Sequence, residues 1–166
     1  MKKYIPAIAI LGVIFVILVI VAIVIVSTVG KTLGEKVSLN NEEFISKIEE
    51  MGYTTKDVKS QFSSYDYIKT ATLAHEKDRK YKIEFYTMES DEGASYFFSV
   101  NKAKFEESQA VAKSKTKANG KNHNKFTFTA DGKYKVVSRI GNTCLYANVD
   151  VEYKEEVKNL IKELGY

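Results

Sequence analysis

The chain has 166 residues, with 25 Lys plus Arg against 21 Asp plus Glu, and Cys144 is its single cysteine. One cysteine allows no intramolecular disulfide, so the fold must be held by its core. The net charge of only +4 argues against a nucleic-acid-binding protein, which usually carries a strongly basic patch. Aromatic residues make up 12% of the chain, which favours a packed domain over a disordered one.

Residues 5–26 are 22 consecutive residues without a charge, and Lys2 and Lys3 lie shortly before them. At ~1.5 Å per helical residue, this run matches the ~30 Å hydrocarbon core of a bilayer. We therefore predict that residues 1–29 are a signal-anchor transmembrane helix. The alternative, a cleaved signal peptide, fits less well because its apolar region is only ~7–15 residues long and ends at a small-residue site.

The orientation of this helix does not follow from charge alone. Lys2 and Lys3 precede the run, and Lys31 and Lys36 follow it, so the positive-inside rule gives a tie. Since the N-terminal tail is very short, we favour a cytoplasmic N-terminus. The expected location is the cell membrane, with a single span through the bilayer at residues 5–26 and an extracytoplasmic C-terminal domain.

The remaining chain is long enough for one domain. Residues 30–38 form a polar tether with two glycines, and residues 39–166 form the domain. Its first helix begins at Asn40, with Glu43 completing a capping box, and ends at Gly52. A second helix follows residue 90 or 91, and a third runs from about residue 151 to Gly165.

Alternating β-rich segments lie between these helices, at residues 67–75, 81–88, 126–130, 134–140 and 143–149. Asp131-Gly132 is a strong tight-turn signal, and short turns imply antiparallel neighbours. The predicted class is α+β, in the order α-β-β-α-β-β-β-α. We expect one antiparallel sheet with the helices packed on one face.

Three segments carry a resemblance to a known group of proteins: residues 81–86 (YKIEFY), residues 136–143 (VVSRIGNT) and the ending from Tyr153 to Tyr166. Over residues 39–166 the chain resembles small exported proteins of Gram-positive bacteria, often made as lipoproteins, whose function is unassigned. The resemblance implies an outward-facing domain and transfers no active-site residues. The chain departs from the lipoprotein pattern because no lipid-bearing cysteine follows the apolar run.

The sequence contains no recognisable catalytic motif. His75 and His123 are far apart and lie at a strand end and in a polar segment, and Cys144 lies in a predicted strand beside Leu145. We interpret the histidines as exposed or turn residues and the cysteine as a small buried apolar residue. No catalytic, cofactor-binding or metal-binding residue is predicted. We favour a protein that is not an enzyme, and an enzyme stays the open alternative.

Residues 108–130 contain no acidic residue but have repeated lysines among small polar residues. We expect a long, mobile loop here. It is a candidate binding arm for polyanions, either anionic lipid headgroups or anionic wall polymers. The alternative is a solvated loop whose charges only maintain solubility. The candidate residues are Lys113, Lys115, Lys117, Lys121 and Lys125.

The predicted function is therefore a membrane-anchored, non-catalytic binding or cell-envelope accessory protein. Arg139 and Tyr86 are candidate recognition residues, because an antiparallel sheet covered on one side exposes such side chains on the other. Two alternatives stay open: an accessory subunit of an envelope enzyme whose site needs a second chain, and a small membrane protein whose span recognises its partner.

Overall fold

The computed structural model of the chain describes residues 34–107 and 114–166. The predicted transmembrane helix at residues 5–26 lies outside the described residues. No helix in the described ranges is long and apolar enough to cross a membrane. Residues from Lys36 to Tyr166 form one compact unit.

The described residues contain three α-helices, which we call α1 to α3, and two short 3-10 helices. The α-helices are Asn41–Glu50 (α1), Asp91–Glu107 (α2) and Lys154–Glu163 (α3). The 3-10 helices are Lys59–Phe62 and Val151–Tyr153. The third predicted helix therefore begins as a 3-10 turn near residue 151 and becomes α-helical at Lys154.

Seven strands of the described residues form one antiparallel sheet, in the order β1-β2-β3-β7-β6-β5-β4. The sheet brings β3 and β7 together at its centre and leaves β1 and β4 at its edges. The strands are Thr54–Asp57 (β1), Ile68–His75 (β2), Lys82–Met88 (β3), Ser114–Asn119 (β4), His123–Ala130 (β5), Lys133–Ile140 (β6) and Thr143–Asp150 (β7).

Helix α1 begins as its sequence predicts. The Asn40 side-chain oxygen accepts the Glu43 backbone N–H at 2.9 Å, and the Glu43 carboxylate accepts the Asn40 N–H at 2.8 Å. These two bonds form a capping box, which satisfies backbone donors that the first helical turn leaves free. Gly52 follows the helix with φ +88°, a conformation that costs glycine little.

The turn between β5 and β6 is also as predicted. Asp131 and Gly132 have φ 48° and 73°, the positive values that a two-residue type I′ hairpin loop requires. The turn pairs Ala130 directly with Lys133. Because side chains alternate along a strand, this pairing decides which residues of β5 face each side of the sheet.

Two strands were not predicted, and the predicted order α-β-β-α-β-β-β-α is wrong in that respect. The observed order is α-β-β-β-α-β-β-β-β-α. The additional strands are the edge strands β1 and β4, and all six residues of β4 are exposed. An exposed strand needs no apolar alternation, so the pattern used to predict strands is missing from its sequence.

The prediction that the helices pack on one face of the sheet is also wrong. Ile83 and Phe85 of β3 belong to one core cluster with residues of α1 and α3. Tyr86 and Met88 of the same strand belong to a second cluster with residues of α2. Since β3 presents large apolar residues on both of its faces, both faces require a helical cover.

The first of these clusters is centred on two stacked rings. Phe44 of α1 and Phe85 of β3 have ring centroids 4.3 Å apart and planes at 8°, and both side chains are 0% exposed. Tyr166 contacts Phe85 edge-on at 5.9 Å. Helix α1 and Tyr166, three residues after the end of α3, thus both pack on the same strand.

We expect Phe44→Ala to lower the free energy of unfolding by roughly 3–5 kcal/mol, because it removes the stack with Phe85 and leaves a cavity. Urea unfolding of the full chain in neutral detergent micelles, followed by circular dichroism, measures the change. Val37→Ala is the control, since Val37 is 89% exposed and its truncation should change stability by under about 0.5 kcal/mol. Equal stability of the Phe44→Ala chain and the wild type would contradict the proposed role of the stack.

Candidate functional site

A cavity of about 440 Å³ lies between α2, strands β3 and β7, and residues 62–68. We call it the tyrosine pocket. Its volume falls within the ~300–1,000 Å³ that is usual for small-molecule sites. Most of its lining is aromatic: Phe62, Tyr65, Tyr67, Tyr86, Tyr96, Phe97 and Tyr146.

The rings of the pocket contact one another edge to face. Tyr67 lies 5.6 Å from Tyr96 and 5.9 Å from Tyr65, with interplanar angles of 89° and 77°. Phe62 meets Tyr86 at 5.3 Å and 89°. This is a favoured arrangement of aromatic pairs, so the rings support each other's positions. Tyr65 and Tyr96 remain 48% and 59% exposed and form the accessible rim.

Glu84 places a carboxylate in the wall of this pocket. Its side chain is 20% exposed and lies 3.3 Å from the Lys82 ammonium, and it accepts a 2.5 Å hydrogen bond from the Tyr86 hydroxyl. Burial and the nearby Glu84 carboxylate raise the pKa of Tyr86, so this hydroxyl stays protonated and donates. Asn101 and Lys104 of α2 are the other polar side chains with an amide or a charge in the lining.

Tyr86 and Arg139 do not lie where the sequence predicts. Both were expected to face solvent, but their exposures are 2% and 8%, because α2 covers this face of the sheet. Arg139 donates to the Asn124 side chain and the Gly141 carbonyl, both at 3.0 Å. Arg139 therefore has a structural role, since it joins β5 to the turn between β6 and β7. Tyr86 lies in the wall of the tyrosine pocket.

The lysine-rich segment is a hairpin where a mobile loop was expected. Within the described residues, β4 and β5 pair from Ser114–Thr129 to Asn119–Asn124, and Lys121 lies in the turn between them. The predicted loop is therefore wrong for residues 114–130. Lys113 lies outside the described residues.

The hairpin separates the candidate lysines. Lys115 and Lys117 pair with Phe128 and Phe126, so they lie on the face covered by α2, and Lys115 forms an ion pair with Glu106 of that helix. Lys125 lies on the opposite face, since side chains alternate along β5. The structure thus does not gather these lysines into one surface, and their binding of polyanions stays a prediction.

A different set of lysines does come together. A groove of about 510 Å³ lies between α3 and the β4–β5 hairpin, and we call it the lysine groove. Its charged lining consists of Lys125 and three residues of α3: Lys154, Lys158 and Lys162. The α3 lysines were missed in the sequence analysis, although their spacing of four residues places them in one row on a helix.

Lys125 is the half-buried member of the lysine groove. Its ammonium donates a 3.2 Å hydrogen bond to the main-chain oxygen of Tyr166. Burial, followed by the positive charges of Lys36 and Lys158, lowers the pKa of Lys125 to about 8. Keeping Lys125 charged in the folded chain therefore costs free energy, both from desolvation and from repulsion by like charges.

Cys144 is 0% exposed, which confirms the prediction that it is a buried apolar residue. Burial raises the pKa of its thiol, so the nucleophilic thiolate is disfavoured. Among the described residues, no group of three His, Cys, Asp or Glu side chains is placed to hold a metal ion.

No protein-family model matches the chain. No curated protein and no solved structure matches it either. The resemblance to exported Gram-positive proteins therefore stays a prediction, and a proposed function must come from the two sites described above.

We expect the stability of the chain to depend on pH through Lys125. Between about pH 8 and 10.5 the unfolded chain holds the Lys125 proton while the folded chain loses it, so the contribution of Lys125 to the free energy of unfolding rises with pH. Lys125→Met should remove this rise and stabilise the chain below pH 8 by roughly 1 kcal/mol, a value reduced for partial solvent exposure. Tyr134 and Tyr166, whose pKa values burial raises to about 12 in the folded chain, lose protons near pH 10 only in the unfolded chain. They lower stability at the upper end of this window equally in both chains, so the contribution of Lys125 is the difference between the two stability curves.

Urea unfolding of both chains at several pH values from 7 to 10.5 measures this difference. Lys117→Met is the matched control, because Lys117 is an exposed lysine of the same hairpin. If the free energies of unfolding of the wild type and the Lys125→Met chain change with pH in parallel, the lowered pKa of Lys125 is contradicted.

Proposed function

We propose that the chain is a membrane-anchored, non-catalytic binding protein. Residues 1–29 hold it in the cell membrane as a single-pass anchor, and residues 39–166 form an extracytoplasmic domain. That domain binds a small ligand in the tyrosine pocket. The pocket is the observation that carries this proposal, and the uncharged run at residues 5–26 supports the anchor.

The chemistry of the tyrosine pocket indicates the kind of ligand. Rings at its rim, Tyr65 and Tyr96, offer flat apolar faces, whereas Glu84, Asn101 and Lys104 offer a carboxylate, an amide and an ammonium. Apolar walls with a few placed polar groups bury a ligand and orient it. The ligand class that fits is a small organic molecule with an apolar face and hydroxyl or amino substituents.

Binding accounts for this arrangement better than catalysis. Glu84 is the only carboxylate in the pocket lining formed by the described residues. Both of its oxygens are already engaged, Oε1 with the Lys82 ammonium at 3.3 Å and Oε2 with the Tyr86 hydroxyl at 2.5 Å. A general acid or base must lie within hydrogen-bond reach of the proton it transfers, and a carboxylate with both oxygens engaged is poorly placed to exchange a proton with a ligand. The alternative, an accessory subunit of an envelope enzyme, requires a second chain to bring the missing groups to Glu84.

We expect Tyr65→Ala/Tyr96→Ala to abolish ligand binding while leaving the fold intact, because both rings are accessible at the rim. Saturation-transfer NMR on the full chain in neutral micelles, with mixtures of monosaccharides, amino sugars and methylammonium compounds, provides the readout. Met51→Ala/Val151→Ala is the control, since these exposed apolar residues lie outside the pocket lining. A compound that binds the wild type and control chains but not the tyrosine variant supports the proposal. It is refuted if no compound binds the wild type, or if all binding persists in the tyrosine variant.

The proposed topology predicts a labelling pattern in intact cells. Lys77 lies in the exposed turn between β2 and β3, so Lys77→Cys should react with a membrane-impermeant maleimide from outside. The wild type is the background control, because Cys144 is its only cysteine and is buried. Lys2→Cys should react only after permeabilisation. Labelling of Lys77→Cys only after permeabilisation would reverse the proposed orientation.

A further inference from the structure

We propose that the lysine groove binds a linear phosphodiester polymer without bases, of the poly(glycerol phosphate) type. This site is separate from the tyrosine pocket and does not depend on the function proposed for that pocket. The inference rests on the arrangement of charge, on the hydroxyl groups of the groove and on its concave shape.

Positive charge converges on the groove from two sides. Lys154, Lys158 and Lys162 stand in one row along α3, and Lys125 faces them from β5. No described residue contributes a carboxylate side chain to the lining. A concavity lined by one sign of charge concentrates its electrostatic field and attracts ions of the opposite sign.

The acidic neighbours of the groove do not neutralise it. Glu155 pairs with Lys158 at 2.8 Å, but its side chain is 71% exposed and lies outside the groove lining. An exposed pair of this kind contributes little free energy, so an anion in the groove can compete for Lys158. The positive neighbours that lower the pKa of Lys125 are Lys36 and Lys158, and a bound anion would offset them.

Hydroxyl groups line the wall opposite α3. Ser114, Thr116 and Thr127 lie on the same face of the β4–β5 hairpin as Lys125, while Phe126 and Phe128 of β5 point to the α2 side. The Thr116 and Thr127 hydroxyls hydrogen-bond each other at 2.6 Å, so one of the two keeps its proton for a ligand. A hydroxyl can donate a hydrogen bond to a phosphate oxygen but carries no charge. The groove thus combines long-range attraction by ammonium groups with short-range donors on the opposite wall.

The shape of the groove favours a chain over a flat surface. The first and last of its three α3 lysines, Lys154 and Lys162, are eight residue steps apart, which is ~12 Å along a helix axis. Lys125 is half-buried within the groove. A bilayer surface would reach the exposed row on α3 but not a lysine inside the concavity. A flexible polyanion can follow the row and contact Lys125 as well.

The aromatic residues of the groove argue against single-stranded nucleic acid. Proteins that bind such strands stack the bases on exposed aromatic rings. Tyr134 and Tyr166 line the groove, but they are only 2% and 3% exposed and offer no accessible ring face. The phosphodiester backbone is therefore the part of a polymer that this groove can recognise.

The test uses the full chain in neutral detergent micelles, titrated calorimetrically with synthetic poly(glycerol phosphate) at several salt concentrations. We expect Lys158→Gln/Lys162→Gln to weaken binding roughly tenfold or more and to reduce the salt dependence, since fewer counterions are released. Lys158→Arg/Lys162→Arg should retain binding. Lys56→Gln/Lys77→Gln is the control with the same loss of net charge, because both lysines are exposed and lie outside the groove lining.

Competition experiments distinguish binding of the polymer from binding of other anions. Glycerol phosphate, short-chain phosphatidylglycerol and single-stranded DNA compete with the polymer at equal phosphate concentration, and each should displace it poorly. Binding near pH 8 should take up protons, because the bound anion raises the pKa of Lys125. The proposal is overturned if the control pair weakens binding as much as the groove pair, if the polymer does not bind, or if any competitor displaces it at equal phosphate concentration.

Discussion

The fold depends on the burial of its central strands from both sides. In β3, Phe85 and Tyr86 are adjacent, point to opposite faces and are 0% and 2% exposed. Successive side chains of a strand must alternate, so neither ring can be buried by a helix on the other's side. Helices α1 and α3 therefore cover the Phe85 face, and α2 covers the Tyr86 face.

Both candidate sites lie where this helical cover ends. The tyrosine pocket forms beside α2, where residues 62–68 complete a wall of rings around Glu84. The lysine groove forms beside α3, where the β4–β5 hairpin extends past the helix and presents hydroxyl groups. A helix can bury only the strands directly beneath it, so a seven-stranded sheet leaves uncovered margins. The composition of each margin decides what it can bind.

Features set by a few neighbouring residues could be predicted from the sequence. The capping box at Asn40 and the Asp131-Gly132 turn depend on local chemistry, and the structure confirms them. The edge strands β1 and β4 could not be predicted, because their side chains are mostly exposed and show no alternation of apolar and polar residues. The exposure expected of Tyr86 and Arg139 was wrong because it depends on which helix covers which face of the sheet.

The candidate lysines show that a lysine-rich segment of sequence need not form one lysine-rich surface. Residues 108–130 are rich in lysine, yet alternation along the β4–β5 hairpin sends Lys115 and Lys125 to opposite faces. Lys125 instead joins lysines of α3 that are about 30 residues away in sequence. The sheet thus separates the lysine groove from the tyrosine pocket, with Lys125 on the α3 side and Glu84 on the α2 side. Substitutions in one site leave the lining of the other unchanged, so the two proposals can fail or hold independently.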